Sequence, residues 1–579
     1  MTLKMTISNF LLMAALAVSC GRNVEPEPQP KPVPDPPAPV EETLAITSFS
    51  LPEYPDATIS IKDASNSIDI ILPYPSVAGE AVIEFALTEG ASSNPASGSK
   101  VDLSSPFSIF LSLPSGKARK YTVTTTTALC NIVSFKWIMN KDCLVKGVRN
   151  GNAISFTLPY GTDLTNLTFD APSDYVLSFE PDITAGVDLS SPLDVLVYAE
   201  DGMTTKKFTL SAECFPEDSG VRGVYLPSPA HTRSFATYDN VCRSLDLMRE
   251  LNFNCLFVCS WAGTKTAWPS EVLLANTTYS SASQGNMYAS YSGGSGDAIA
   301  DIISEAHKRD IKVVLWFEYG FMHNVGGTNW DDPLLVRHPE WMGIGSDGKP
   351  CNYNSNDFYL NGYDPAVQKF MIDMMSEAVQ RYPELDGVQG DDRLPAMPRN
   401  SGYDEVTSAA WRAAKGSNPP SDYNNRTWVD WRLDILNGFA VDMHHALRAI
   451  NPSLLVCFAP NKYPWCESNL MQDWPQWLAD GVVDLLTVQC YVTNNYNNDV
   501  DSTMGYVKKS CDRNVFNPAM ILKNGGAILP ATLISEELQK NRQVGTCGES
   551  QFWFDGLLEP DVQSIFRAWY RTWVPFPEL

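Results

Sequence analysis

Residues 312–322 read KVVLWFEYGFM, a strongly apolar run that contains a single acid, Glu318. Alternation along an extended strand puts Val314, Trp316 and Glu318 on one face and leaves the opposite face uniformly apolar. A strand with such apolar character on both faces is typical of a parallel sheet covered by helices. We therefore predict a buried parallel strand with a polar carboxyl end.

Segments of the same kind alternate with amphipathic helices from about residue 220 onward. Strands are predicted at residues 223–226, 255–259, 313–317, 387–390, 454–458, 485–488, 519–522 and 551–554. Eight strands that alternate with helices predict an α/β fold, a (β/α)8 TIM barrel over residues 220–579. An open, doubly wound sheet is the structural alternative, but no glycine-rich nucleotide-binding turn follows the first strand.

The ends of two predicted strands carry carboxylates, and in a (β/α)8 barrel the site lies where the strands end. Glu318 follows the third strand, and Asp391 and Asp392 follow the fourth. Neighbouring strands are about 4.8 Å apart, so these acids can come within the roughly 5 to 9.5 Å that glycoside hydrolysis requires. Crowded like charges raise the pKa of one acid enough for proton donation. These three are the catalytic candidates, and Glu549, before the last strand, is the next.

The two adjacent aspartates are predicted to face in different directions. Gln389 and Asp391 share one strand face, which favours Asp391 as the inward-pointing acid, whereas a kink at Gly390 would exchange the two. The alternative to catalysis is that either aspartate caps the following loop or forms an ion pair with Arg393.

Aromatic side chains accompany the acids, and flat aromatic rings pack well against the apolar faces of sugar rings. The candidates near the predicted strand ends are Trp261, Trp316, Tyr319, Tyr491, Trp465 and Trp553. Because the chain has 15 Trp and 23 Tyr, core packing is the better explanation of any single one. As a group they favour a carbohydrate site.

Several motifs occur in a family-specific order. They are EAHKR at 305–309, KVVLWFEYGFM at 312–322, HPEW at 338–341, DGVQGDD at 386–392, GYD at 402–404, and Gln489 with Tyr491. With these motifs the chain from about residue 221 to 575 resembles the glycosyl-hydrolase-like family 10. The resemblance implies a (β/α)8 fold and hydrolysis of glycosidic bonds in a polysaccharide, and some relatives act on the glycan strands of peptidoglycan.

The resemblance also implies roles for individual residues. It makes the three catalytic candidates the site acids. The residues that it implies for the sugar pocket are Gln389, Asn461, Gln489 and Tyr491. The sequence departs from the family at Ala459, where relatives tend to show Ser before the proline, and at Gly390, where a bulky residue is usual. Neither departure replaces an acid, and both indicate a changed pocket shape.

The first residues, MTLKMTISNFLLMAALAVSC, read as a secretory signal peptide that ends at Cys20. The apolar run is too short for a stable membrane span, and a cysteine after small residues is typical of bacterial lipoproteins, which are acylated there. The alternative is a plain signal peptide cut elsewhere. Residues 21–42 are rich in proline and predict a semi-rigid linker. We therefore predict a lipid-anchored protein of the cell envelope.

An internal repeat follows the linker. The hexapeptide VDLSSP occurs at 101–106 and 187–192, and pairs such as Leu72 and Leu158 keep the same spacing of 86 positions. Short alternating segments between turn residues predict antiparallel strands, and hence two small all-β sandwich domains at 43–128 and 129–215. They resemble the Ig-like repeats of Bacteroidetes surface lipoproteins. We favour a spacer role over glycan binding, because neither repeat has a cluster of carboxylates or exposed aromatic residues.

Composition limits the partners and cofactors. The formal net charge of -25 repels phosphate backbones, so nucleic acid is a poor partner. Cys255, Cys259, Cys457 and Cys490 lie in apolar strand-like runs, which favours buried free thiols over a disulfide scaffold. Cysteine and histidine spacing indicates no zinc site, and we expect neither a metal nor another cofactor.

Two functional hypotheses follow. The first is a glycoside hydrolase outside the cytoplasm that cleaves O-glycosidic bonds in a polysaccharide by a two-carboxylate acid/base mechanism. The second is a non-catalytic surface lipoprotein that binds glycans and has lost turnover. Both hypotheses make a glycan the partner and a lipid the anchor.

Overall fold

The computed structural model describes residues 43–579 with gaps at 74–75, 128–130, 133–135, 139–143, 172, 175, 200–204, 218, 325–331, 355–356 and 525. The predicted signal peptide with Cys20 and the linker at 21–42 lie outside the described residues. Within the described part, no helix is both long and apolar enough to cross a membrane. The described chain forms two compact units: residues up to Leu72 together with Ala78–Thr126, and residues Pro73–Val77 together with Thr127–Leu579.

The first unit is a small β sandwich. Its three-stranded sheet contains Ile46–Ser50, Glu80–Leu87 and Ser99–Asp102, and its five-stranded sheet has the order Thr58–Lys62, Ser67–Leu72, Ala118–Thr127, Phe107–Ser112, Ser92–Asn94. Alternate side chains of the strands point into the core, as Ile68, Ile70 and Leu72 do. Buried residues from both sheets form one hydrophobic cluster.

The second β module begins the second unit and repeats this arrangement. One sheet contains Leu144–Lys146, Lys136–Ile138 and Thr168–Asp170, and the other has the order Val148–Asn150, Ala153–Leu158, Thr205–Cys214, Leu193–Ala199, Val176–Glu180. A short pair joins Ser173–Asp174 to Asn131–Ile132. The prediction of antiparallel strands is wrong for one pair, because Ala153–Leu158 runs parallel to Thr205–Cys214. The long intervening chain allows the parallel return.

The rest of the second unit is built around eight parallel strands. They are labelled β1 to β8 in chain order. They are Val221–Leu226, Cys255–Cys259, Lys312–Phe317, Gly387–Gly390, Leu455–Phe458, Leu485–Leu486, Ala519–Ile521 and Gly548–Phe552. Their order in the sheet is β6-β5-β4-β3-β2-β1-β8-β7. Parallel bridges from Leu486 to Phe516 and from Gln489 to Ala519 join the two outer strands. The sheet therefore closes as a TIM-type barrel, which excludes the open-sheet alternative.

Helices cover the outside of the barrel and are labelled α1 to α8. They are Tyr238–Glu250, Ala298–His307, Pro365–Arg381, Arg426–Ile450, Trp474–Ala479, Tyr496–Ser510, Ala531–Val544 and Pro560–Trp569. Additional helices lie in the loops, at Glu271–Ala275, Pro333–Arg337, Glu405–Lys415 and Trp465–Leu470. The local sequence determines where α2 begins. Asp297 is its N-cap, and the Asp297 side chain accepts hydrogen bonds from the backbone N–H groups of Ile299 and Ala300.

Alternation in β3 divides its side chains between two cores, as predicted. Val314 and Trp316 belong to a cluster inside the barrel, whereas Val313 and Leu315 belong to the core under the helices. The interior cluster also contains the thiols of β2 and β5. Cys255, Cys259, Cys457 and Cys490 are buried free thiols, as the sequence predicts.

The second β module packs directly against the barrel helices α7 and α8. Ser535 Oγ of α7 donates to the Leu144 carbonyl at 3.2 Å, and Lys146 Nζ lies 2.8 Å from Glu536 Oε1. The Phe215 and Trp569 ring centroids are 6.3 Å apart. Apolar residues of the module and of the barrel belong to one continuous hydrophobic cluster.

Candidate active site

Glu318 immediately follows β3 and lies at the carboxyl end of the barrel, where the sequence predicts it. Its side chain is partly buried, and Oε2 accepts a hydrogen bond from the Cys259 thiol at 3.2 Å. Burial raises the pKa of Glu318 to about 7, and the charge of Asp392 acts in the same direction. Near neutral pH this carboxyl group therefore exists in both protonation states.

Asp391 follows β4, the strand next to β3, and its side chain is 6% exposed. Oδ2 accepts from the Tyr319 backbone N–H at 3.3 Å, and Oδ1 accepts from Gln489 Nε2 at 3.1 Å. Burial raises the pKa of Asp391 well above its usual range, and the charges of Asp392 and Glu318 add to the effect. Asp391 and Glu318 therefore form an electrostatically linked pair on adjacent strand ends.

Asp392 has the environment of a structural ion pair. Its Oδ2 is the partner of the Arg393 guanidinium, and it also accepts from Asn461 Nδ2 at 2.8 Å. The predicted alternative for this residue, an ion pair with Arg393, is therefore present. Asn461, which the resemblance assigns to the sugar pocket, therefore donates a hydrogen bond from its amide to an acid of the candidate site.

Gln389 lies one layer below the acids, inside the barrel. It is fully buried. Its Oε1 accepts from the Tyr225 hydroxyl at 2.9 Å, and its Nε2 donates to Thr487 Oγ1 at 3.3 Å. The expectation that Gln389 lines an open sugar pocket is corrected, because no part of its side chain reaches the surface and its two polar atoms bind residues of β1 and the end of β6.

The aromatic candidates divide into core and surface residues. Trp261 is 1% exposed and donates from Nε1 to the Gly320 carbonyl at 3.1 Å, and Trp316 is 2% exposed inside the barrel. For these two the prediction of sugar contact is wrong, because both are core residues. Tyr319, Tyr491 and Trp553 are partly buried. Trp465 is the exposed one, on the helix Trp465–Leu470.

Glu549, the reserve candidate, belongs to the opposite end of the barrel. The strand β8 begins at Gly548, earlier than predicted, so Glu549 is its second residue. The carboxylate is fully buried and accepts from Arg542 Nη1 at 2.6 Å and from the Tyr570 hydroxyl at 2.6 Å. This correction makes Glu549 an anchor between β8 and the helices α7 and α8.

Three contacts that organise the site were not predicted from the sequence. They are the Cys259 thiol on Glu318, the Gln489 amide on Asp391, and the Tyr225 hydroxyl on Gln389. Strand alternation could have indicated part of this arrangement, because Tyr225 and Cys259 occupy positions of their strands that face the inside of the barrel. Within the described residues, no group of three or more His, Cys, Asp or Glu side chains is arranged to hold a metal ion.

Comparison with known proteins gives the family. Residues 220–513 match the Glycosyl hydrolase-like 10 family, and residues 46–125 match the domain described as SGBP, N-terminal. Glycosyl hydrolase DigH of Escherichia coli is 23% identical over 311 residues, which cover 49% of this chain and 64% of that protein. Glycosyl hydrolase YngK of Bacillus subtilis is 23% identical over 221 residues, 35% of this chain and 40% of that protein.

A solved glycoside hydrolase domain of PgaB (BpsB) from Bordetella bronchiseptica is also similar, with a TM-score of 0.45 and 12% identity, covering 60% of this chain and 98% of that one. The chain spans less than two thirds of the length of the curated relatives that it matches. The family match covers the strands β1 to β6 and every acid of the candidate site. This protein belongs to the Glycosyl hydrolase-like 10 family.

Proposed function

We propose that this protein is a glycoside hydrolase that cleaves O-glycosidic bonds in a polysaccharide with two carboxyl groups, Glu318 and Asp391. The observation that carries the proposal is their position on adjacent strand ends, each with a pKa raised by burial and neighbouring charge. Acid/base cleavage needs one protonated carboxyl group near one ionised group. A linked pair of this kind supplies both.

Glu318 is the proposed general acid. With a pKa of about 7 it holds its proton in a large fraction of molecules at neutral pH. During cleavage that proton passes to the glycosidic oxygen while the bond between this oxygen and the anomeric carbon breaks. The bonding electron pair leaves with the oxygen, and Glu318 becomes a carboxylate.

Asp391 is the proposed second carboxylate. The charge of Glu318 raises the pKa of Asp391, so Asp391 ionises more easily when Glu318 carries its proton. The Tyr319 N–H and the Gln489 amide hold its two oxygens in place. Its negative charge then faces the positive charge that develops on the sugar, whether it attacks the anomeric carbon or activates water.

The ion pair of Asp392 with Arg393 gives the third acid a supporting role in this proposal. Its charge is balanced by the guanidinium, and it still raises the pKa of both other acids. The names of the curated relatives support hydrolysis of glycosidic bonds as the reaction class. The proposal includes the cell envelope as the location, for which the sequence pattern around Cys20 is the support.

The test is hydrolysis of a panel of plant, host and peptidoglycan glycans, scored by new reducing ends. The wild-type protein is expected to cleave at least one of them. Glu318→Gln is expected to lower turnover by at least about a hundredfold, because a positioned general acid contributes that much or more. Glu271→Gln, an exposed carboxylate on a loop helix, is the matched control and should be fully active.

The alternative function, glycan binding without turnover, gives a different result in the same assay. A glycan that is retained by the immobilised protein but releases no reducing ends supports a binding lipoprotein. Full activity of Glu318→Gln on a glycan that the wild type cleaves contradicts the assigned acid.

A further inference from the structure

Cys259, the last residue of β2, contacts the proposed acid from inside the barrel. It is fully buried, and its Sγ lies 3.2 Å from Glu318 Oε2. The parallel register pairs Cys259 with Trp316, which shares a strand face with Glu318 two residues later. The contact is therefore a consequence of the barrel register.

The thiol acts as a donor in this contact. Burial raises the pKa of Cys259 well above its usual range, and the charges of Glu318 and Asp391 add to the effect. A thiol that stays protonated has one hydrogen to donate, and Oε2 is the acceptor that receives it.

We propose that Cys259 is a positioning residue for Glu318, whose thiol hydrogen bond to Oε2 leaves Oε1 as the oxygen that carries the transferable proton. This inference rests on the proposed hydrolase function. An unprotonated carboxyl oxygen is the better hydrogen-bond acceptor, so the donor at Oε2 selects the position of the acid proton. Without the thiol, the proton can occupy either oxygen.

The same hydrogen bond supports the chemical step. The proton leaves Oε1 for the glycosidic oxygen, the bond to the anomeric carbon breaks, and its electron pair stays on the departing oxygen. The thiol keeps its hydrogen and its oxidation state throughout. A hydrogen bond to an ionised acceptor is stronger than one to a neutral acceptor, so the thiol stabilises the carboxylate that the step creates.

Other titratable and charged groups face this pair and must be unchanged in the test. Those facing Glu318 or Cys259 from the neighbouring strands and loops are Asp391, Asp392, Tyr319 and Tyr288, and the charge of Arg393 acts on Asp391. Substitutions at Cys259 leave all of these side chains in the protein. A shift in the titration of Glu318 then reports the lost thiol.

The experiment compares Cys259→Ala and Cys259→Ser in the full chain. The titration of the Glu318 carboxyl group is followed by infrared difference spectra, with Glu318→Gln identifying its band. Cys259→Ala should raise the pKa of Glu318 by about half to one unit, because a donor to the charged form is lost. Cys259→Ser, which keeps a hydroxyl donor, should move it back toward the wild-type value. Cys457→Ala, a buried cysteine elsewhere in the barrel interior, is the control and should leave it unchanged.

Activity on a cleaved glycan gives the second measurement. Cys259→Ala should lower kcat by roughly threefold to tenfold with KM nearly unchanged, and it should move the alkaline limb of the pH profile upward. The inference is overturned when Cys259→Ala titrates and turns over like the wild type, or when Cys259→Ser shows the full effect of the alanine. A wild-type protein that cleaves no glycan contradicts the proposed function, and the infrared titration still decides the role of the thiol.

Discussion

Asp391 and Asp392 follow one another in the chain, yet their carboxylates have different partners. Asp391 accepts only neutral donors, from Tyr319 and Gln489, whereas Asp392 pairs with a guanidinium. Asp391→Asn should therefore lower turnover by at least about a hundredfold. The melting temperature should barely change, since the lost hydrogen bond is offset by relief of crowding among the acids. Steady-state kinetics and thermal unfolding measure the two effects.

Asp392→Asn is the matched comparison, with the opposite expectation. It leaves the Arg393 guanidinium, which is largely buried, without its carboxylate, and breaking such a pair costs about 3 kcal/mol. Stability should fall and activity should fall less than in Asp391→Asn. Normal turnover of the Asp391 variant together with an inactive Asp392 variant would mean that the roles of the two aspartates are exchanged.

Alternation predicted the direction of the acids but not the depth of their neighbours. The parity of β3 and β4 correctly put Trp316 and Gln389 on the barrel side. It did not indicate that both side chains lie below the carboxyl ends of the strands. Parity tells which face of the sheet a side chain occupies, but not how far the side chain lies from the end of the strand. The assignment of Asn461 to the sugar pocket stays a prediction, and its hydrogen bond to Asp392 depends on the fold of two separate loops, which strand parity does not show.

At the scale of elements, strand positions were predictable and strand ends were less so. The apolar runs located all eight strands because parallel strands are buried on both faces. The start of β8 was missed because residues 548–551 read GESQ, which is polar although the structure buries it. Arg542 of α7 and Tyr570, which follows α8, hydrogen-bond the buried Glu549 carboxylate, and a sequence pattern does not show such long-range partners.

The turn after β4 explains the glycine that departs from the family pattern. A Cβ atom added to Gly390 would lie 2.5 Å from the Leu394 carbonyl oxygen. The Leu394 N–H in turn donates to the Asp391 carbonyl at 2.9 Å. In this protein the tight turn that holds both aspartates approaches β4 too closely for a side chain at Gly390.

The helix α7 carries a buried carboxyl group outside the site. Glu537 is 4% exposed, and neither of its oxygens has a hydrogen-bond partner among the residues that the structure describes. Burial raises its pKa to about 8. The folded state therefore binds more protons than the unfolded state between about pH 4.5 and 8. This contribution to stability is complete below the unfolded pKa and is lost as the pH rises through the folded one.

Glu537→Gln should therefore stabilise the protein in a pH-dependent way. The variant and the wild type should have nearly equal melting temperatures at pH 4, where the carboxyl group is mostly protonated in both the folded and the unfolded state. At pH 7 the variant should be more stable by roughly 2 to 4 kcal/mol, because the wild type must take up a proton at Glu537 on folding and the glutamine does not. Thermal unfolding across this range measures the difference. Glu559→Gln, at an exposed position, serves as control, and a gap that is independent of pH would contradict the buried titration.

At the scale of the whole molecule, the repeat predicted two similar β modules but not the contact between the second module and the barrel. The second module shares a continuous hydrophobic cluster with the barrel. Its strand Leu144–Lys146 contacts α7, through Ser535 and Glu536. A repeat pattern reports internal similarity of the copies, whereas it does not show which residues pack against another part of the chain. A fragment of the barrel without this module therefore gives a direct test of the contact.

Two fragments of the chain test the role of the second module. The fragment 127–579 keeps the module and should melt close to the full chain. The fragment 220–579 removes Phe215 from Trp569 and uncovers α7 and α8, so it should melt several degrees lower or aggregate, because apolar contact area is lost. The soluble part of the shorter fragment should keep its kcat, since the acids lie at the ends of β3 and β4 and none of their hydrogen-bond partners belongs to the module. Equal melting of both fragments would show that the barrel is autonomous, and a folded but inactive 220–579 would show that the module contributes to the site.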